Sequence, residues 1–321
     1  MSWLILTLAC IVLWGITDIL YKASWDYNDP LSHHKTFVWI GIIMALAGCI
    51  MANWSDTLLT SIINIKDNLY LMPLNIAYAL ALFFGLLGKK HLDASVVSPL
   101  ENIEGPLEVI ILYVLFLITG NSNLIKKFGV VQIIATVAIV IGVILLAIQE
   151  HKLSKQESQL GDHKKKHRLG ALALIFPLVY TLVDATSMVA VSISLSEKTE
   201  TSIPDIDFFI IECAGFALVA ICVWLYMFIV KKHAYNPFQE EELVRCGAAT
   251  GETFGTMTFI LASAINPRLT APVTSLYCLV TIVLARIFLK ERLNKKQYVA
   301  LAFLVIGIAL IGIFDIFNFN A

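Results

Sequence analysis

Long apolar runs alternate with short polar breaks along the whole chain. A membrane span needs roughly 20 mostly apolar residues. Ten runs fit, at approximately 3–21, 36–54, 69–88, 94–119, 129–148, 169–194, 208–230, 243–264, 269–289 and 297–315. The pattern predicts an all-α polytopic membrane protein with ten transmembrane helices. The one extended polar stretch runs from Glu150 to Arg168. It holds Lys152, Lys155, Lys164, Lys165, Lys166 and Arg168, has no apolar period, and is expected to be a flexible loop. It divides the chain into a first five-helix unit, 1–149, a basic linker, 150–168, and a second five-helix unit, 169–321.

The two units resemble each other. Leu8 to Asp18 reads LACIVLWGITD and Leu174 to Asp184 reads LIFPLVYTLVD. An offset of 166 places Trp14 on Tyr180 and Asp18 on Asp184; near the unit ends an offset of 165 places Gln132 on Gln297 and Gly142 on Gly307. An odd number of helices per unit puts the copies in opposite membrane orientations. The expectation is two inverted five-helix repeats, with a substrate site near the membrane midplane between them.

Composition fits this picture. The chain is 58% hydrophobic and 15% charged, against about 25% charged in soluble domains, and its mean hydropathy is +0.80. The net charge of −1 says little, because charges are segregated by depth. The first run starts at Trp3 without a basic region before it and reads as a span, not a cleaved signal. The six cysteines all fall in apolar runs and form no CxxC pair, so they read as small packing residues. There is no phosphate-cradling glycine loop, no HExxH and no paired Asp-rich motif, so no enzyme activity, cofactor or metal is expected. The basic linker points to anionic lipid rather than nucleic acid.

The chemistry lies in the carboxylates. Asp18, Glu101, Glu104, Glu108, Asp184, Glu212 and Glu252 fall inside apolar runs, where Arg286 is the one base read at similar depth. A charge at mid-bilayer costs about 2.5–3.5 kcal/mol on insertion scales, so such residues normally face a cavity or a partner. Glu101, Glu104 and Glu108 share one helical stripe, and three carboxylates in low dielectric cannot all stay ionised. At least one is expected to hold a proton and exchange it for a cation. Pro99 and Pro106 interrupt the backbone ladder there, so carbonyls near Glu101 and Asn102 are expected to point into the cavity. Asp18 and Asp184 each follow an aromatic by one turn, Trp14 and Tyr180, a pairing that offers a cation both countercharge and ring face. Glu252 stands among small residues in Gly251-Glu252-Thr253-Phe254-Gly255. Tyr277, Tyr78 and Trp39 are candidate cavity aromatics. Arg286 is expected to snorkel toward the basic turn that follows it.

Residues 272–313 resemble the closing helix pair of the drug/metabolite transporter superfamily, EamA type. The likeness rests on Ser275 and Tyr277, the turn Leu289-Lys290-Glu291-Arg292, Gln297 and the Gly307 helix; Trp14-Gly15 with Lys22 is similar to the opening helix. The chain departs from the family pattern at Cys278, where a proline is usual, and after Gly120, where extra residues replace a Glu-Arg turn. The resemblance implies transport of a small solute; family members move amino acids, nucleotide sugars, amines, drugs or other metabolites.

Basic residues favour cytoplasmic loops. Loops after odd-numbered runs hold seventeen Lys and Arg, including Lys22, Lys35, Lys89, Lys90 and Arg245, and loops after even-numbered runs hold five: Lys66, Lys126, Lys127, Lys198 and Arg268. The expectation is a multi-pass cell-membrane protein with both termini outside and the linker in the cytoplasm, opposite to the usual family orientation. The leading reading is a secondary active transporter of a small cationic or zwitterionic solute, coupled to protons, with Glu101, Glu104, Glu108, Asp18, Asp184 and Glu252 binding substrate or proton and Trp14, Tyr180 and Tyr277 lining the cavity. A transporter of anionic sugar phosphates or nucleotide sugars, and a membrane sensor without flux, are the alternatives. The sequence gives no oligomeric state.

Overall fold

A computed structural model describes residues 2–26, 28–54, 69–120, 130–159, 169–194, 204–237, 242–266 and 269–319. The described residues form helices joined by turns and short loops, with no strand among them. The helices are α1 Ser2–Ala23, α2 Ser32–Trp54, α3 Met72–His91, α4 Ala94–Glu101, α5 Glu104–Thr119, α6 Val130–Gln159, α7 Ile175–Ser194, α8 Asp205–Ile229, α9 Leu243–Ile265, α10 Thr270–Thr274, α11 Tyr277–Leu284 and α12 Lys295–Phe319. Among the described residues, eight segments are long and apolar enough to cross a membrane: Trp3–Ala23, Ser32–Asn53, Met72–His91, Ala94–Thr119, Ile133–Leu153, Gly170–Ala190, Asp205–Ile229 and Thr270–Leu289. α9 and α12 are 23 and 25 residues long. α9 carries Gly247, Thr250, Gly251, Glu252, Thr253, Gly255, Thr256 and Thr258, which lower its hydropathy because it packs inside the bundle.

Two expectations change in detail. Residues 150–159 continue α6 as helix, because their Glu, Lys, Gln and Leu residues are good helix formers whatever their polarity. Residues 160–168, and the loop residues Lys66, Lys126, Lys127, Lys198 and Arg268, lie outside the described residues. The run 94–119 is two helices: α4 ends at Glu101, Asn102 and Ile103 form a turn, and α5 begins at Glu104. The run 269–289 breaks in the same way between α10 and α11.

Helix pairing has a regular pattern. α1 packs on α9, α3 on α7, α2 on α8 and α6 on α12. At residue level the close approaches are reciprocal. A Cβ on Gly142 would lie 2.7 Å from Leu304 Cγ and 2.9 Å from the Ala300 carbonyl oxygen; one on Gly307 would lie 2.6 Å from Ile139 Cγ1 and 2.8 Å from the Ala135 carbonyl oxygen. The 165-residue offset carries Gly142, Ala135 and Ile139 onto Gly307, Ala300 and Leu304. Gly41 faces Ala220 while Gly48 faces Cys213, and Gly85 faces Tyr180 while Gly255 faces Trp14. Small residues let helix backbones approach where lipid offers no hydrophobic drive for association.

One end of the bundle is clamped by polar contacts. Lys22 Nζ donates to the carbonyls of Lys89 and Leu92, the latter at 2.7 Å, and so caps the C-terminus of α3. Glu291 accepts from the N–H groups of Ala94 at 2.9 Å and Ser95 at 3.0 Å and from the Ser95 hydroxyl, capping the N-terminus of α4. Arg245 donates to both carboxylate oxygens of Glu242 at 2.7 Å, to Ser32 Oγ at 3.1 Å and to the Ser24 carbonyl at 3.2 Å. These contacts hold the ends of α1, α3 and α11 to the starts of α2, α4 and α9.

Candidate functional site

Several helices bring ionisable groups to the bundle centre, by different local devices. On α1, Trp14, Asp18 and Tyr21 share one face, spaced four and three residues apart. On α3, Tyr78, Leu82, Gly85 and Lys89 form a stripe spaced four, three and four. The break after α4 turns Glu101 and Glu104 inward from either side of Asn102. On α9, the small residues around Glu252 keep neighbouring helices close; a Cβ on Gly251 would fall 2.2 Å from Thr17 Oγ1. The result is a cavity of about 20 Å3 lined by Trp14, Asp18, Tyr21, Leu82, Lys89, Glu101, Glu104, Tyr180, Glu252 and Tyr277.

Lys89 organises this cavity. Its ammonium is 2.5 Å from Glu101 Oε2 and 3.1 Å from Asp18 Oδ1, and 5.9 Å from the centre of the Tyr21 ring. Asp18 also accepts from the Thr281 hydroxyl at 3.0 Å, and Glu252 from the Tyr21 hydroxyl at 3.1 Å. Glu104 is hydrogen-bonded to Asp184, which also bonds Tyr180. Two facing carboxyl groups make a dyad that can share a proton. Lys89 corrects the reading of Arg286 as the only base at depth: Lys89 is 3% exposed, while Arg286 is exposed and donates to the Tyr298 hydroxyl.

A second cavity, also about 20 Å3, lies on the far side of Trp14. It is lined by Trp14, Asn75, Tyr78, Asp184, Ser187, Met188, Phe208, Glu212, Thr256 and Phe259. Trp14 borders both, with its ring centroid 5.4 Å from Phe259 and 5.6 Å from Tyr277. The Glu104–Asp184 dyad spans the same division, one member lining each cavity.

The candidate residues Asp18, Glu101, Glu104, Asp184, Glu252, Trp14, Tyr180 and Tyr277 thus gather around two adjoining cavities, as do Glu212 and Tyr78. Glu108 is fully buried one turn along α5 and lines neither. Trp39 is buried in the apolar core and also lines neither. The carbonyls of Leu100 and Glu101 at the break are not offered to the cavity: the Thr181 hydroxyl donates to the Leu100 carbonyl at 2.8 Å and lies 3.2 Å from that of Glu101. A hydroxyl from a neighbouring helix satisfies a broken ladder within the membrane better than a solute-facing void would. Lys89 and Tyr21 were missed by sequence reasoning, though both fall on the helical stripes named above.

No curated protein matches the chain. A solved crystal structure, described only as that of a protein, aligns with 98% of this chain and 98% of its own at 14% identity and a TM-score of 0.55, which shows a shared fold. Residues 176–313 match the model of the EamA-like transporter family, a family of membrane transporters of small solutes, and so bear out over the second half of the chain its resemblance to the drug/metabolite transporter superfamily.

Proposed function

We propose that the protein is a secondary active transporter of a small cationic or zwitterionic solute, coupled to protons and working by alternating access. The observation that carries this is the pair of adjoining cavities, lined by Asp18, Glu101, Glu104, Glu252, Asp184 and Glu212 against one base, Lys89. Acids in such excess inside a membrane either hold protons or bind a cation, and a site able to do both couples the two. The Glu104–Asp184 dyad is the natural proton carrier, with Asp18 and Glu101 as countercharges. Glu108, one turn beyond, would act on Glu104 through the helix and contribute less.

On this reading all ten long helical segments span the bilayer, and residues 1–149 and 169–321 are inverted repeats joined by 150–168. The reciprocal glycine contacts support it, since a pseudo-two-fold axis turns each contact into its partner. The broken runs 94–119 and 269–289 are the discontinuous helices that transporters of this kind place at their sites. Both termini lie outside the cell.

The alternative, an anionic solute, draws support from Lys89 as a buried base. Its charge, however, is already shared by two carboxylates at 2.5 and 3.1 Å, and Asp184 and Glu252 would repel an anion.

Proteoliposomes with an imposed pH gradient, offered amines, amino acids and nucleotide sugars, test the proposal. Uptake of a cation or zwitterion that collapses with a protonophore is expected. Nucleotide-sugar uptake without amine or amino-acid uptake would establish the anion reading, and folded protein without any flux would establish the sensor.

A further inference from the structure

The pocket between Asp18, Glu101 and Tyr21 is a built ammonium site: two carboxylates and a ring face at hydrogen-bonding and cation–π distances. It already holds an ammonium, that of Lys89. Around it, two buried polar atoms have no hydrogen-bond partner among the described residues: Glu101 Oε1 and the Trp14 indole N–H. Both residues line the same cavity. Buried polar atoms are normally paired, so an acceptor and a donor on residues of this lining point to a ligand carrying both a donor and an acceptor.

The cavity volume of about 20 Å3 fits about one water molecule. A larger solute enters only if something leaves. The walls cannot easily yield: Gly85 presses α3 against Tyr180 and Glu101, and Trp14 is wedged between Phe259 and Tyr277. The longest flexible side chain in the lining is the four-carbon arm of Lys89. Exchanging one ammonium for another also keeps Asp18 and Glu101 neutralised at every stage, whereas a bare buried pair is strongly unfavourable.

We propose that Lys89 is a tethered stand-in for the transported cation: its ammonium occupies the Asp18–Glu101–Tyr21 subsite, and an incoming primary ammonium takes that place as the side chain withdraws. This rests on reading the cavity as a cation site, and names the subsite and the group that competes for it.

The test uses radiolabelled n-propylammonium, which matches the Lys89 side chain beyond Cβ, and purified full-length protein in detergent. Lys89→Ala should bind one n-propylammonium per chain, at least about tenfold tighter than the native protein, because a tethered competitor of millimolar or higher effective concentration has been removed. Adding Asp18→Asn to Lys89→Ala should abolish that binding, and n-propanol should not compete. Folded Lys89→Ala that binds n-propylammonium no better than the native chain overturns the proposal. Should Lys89→Ala fail to fold, Lys89→Ala/Glu101→Gln removes a negative charge along with the positive one. It should still bind through Asp18 and Tyr21, and folded double variant without saturable binding overturns the proposal equally. n-Propylammonium binding without flux of any solute would uphold the subsite and defeat the transport reading. Cation flux with unchanged binding in Lys89→Ala would do the reverse.

Discussion

At the scale of single residues, the Glu104–Asp184 contact separates charge from packing. Glu104→Gln keeps the shape and can still donate to Asp184, but the pair can no longer exchange a proton. Uptake driven by a pH gradient should fall to background in Glu104→Gln with normal expression and elution, while Glu108→Gln, outside both cavities, should retain a substantial fraction. Equal loss in both variants would mean that α5 is sensed as a whole. Much of this centre was legible in the chain: Trp14 with Asp18, Tyr180 with Asp184, and Glu101, Glu104 and Glu252 were all marked by acids inside apolar runs. Lys89 was not, because hydropathy treats Lys89, Lys90 and His91 as one polar helix end. Only the stripe Tyr78, Leu82, Gly85 and Lys89 distinguishes a lysine turned inward. Thr181 satisfying the carbonyls of Leu100 and Glu101 could not be read either, since it comes from a helix eighty residues away.

At the scale of elements, helix ends are held by side chains from distant parts of the chain. Glu291 replaces the local cap that Asp93 does not provide, accepting from two backbone N–H groups and a hydroxyl at the start of α4. Glu291→Ala should destabilise the protein by about 2–3 kcal/mol, the range for hydrogen bonds to a charged group, and Glu291→Gln by less, read as the thermal midpoint in detergent. An unchanged midpoint in Glu291→Ala would show that α4 is fixed by its apolar packing alone. In the loop before α2, burial works to raise the pKa of Asp29, but the Lys35 ammonium at 2.7 Å and the Leu31 N–H at 2.8 Å hold its carboxyl below the ordinary range. A lowered carboxylate pKa adds stability above the unfolded value, near pH 4, that is lost as pH falls through the folded one. Because the pair is partly exposed, Asp29→Asn should cost at most about 1 kcal/mol at neutral pH, and the difference from native protein should vanish in acid.

At the scale of the whole molecule, the reciprocal contacts and the distribution of charge make linked demands. If the units are inverted repeats, Gly142→Val and Gly307→Val strike equivalent positions of one α6–α12 contact. Each should cost about 1–3 kcal/mol as overpacking, by similar amounts in thermal unfolding. A large effect in one alone would break the proposed symmetry. Orientation follows from the same frame. Lys89 and Arg245 are buried and no longer count as loop charges, yet fifteen basic residues against five still favour the proposed orientation, with the loops after odd-numbered runs in the cytoplasm. That is the end clamped by Lys22, Glu291 and Arg245, which the proposed orientation turns toward the cytoplasm. The exposed Lys152, in the helical extension of α6, reports the side directly. In a background with the six native cysteines replaced, Lys152→Cys should react with an impermeant maleimide only after cells are permeabilised, and a cysteine at Ser2 should react in intact cells. The opposite pattern would turn the molecule over and place the clamp outside. Labelling of both positions from the same side only would be consistent with an even number of spans between them and would end the five-plus-five arrangement, because a cytoplasmic linker and an external N-terminus require an odd number of crossings in the first unit.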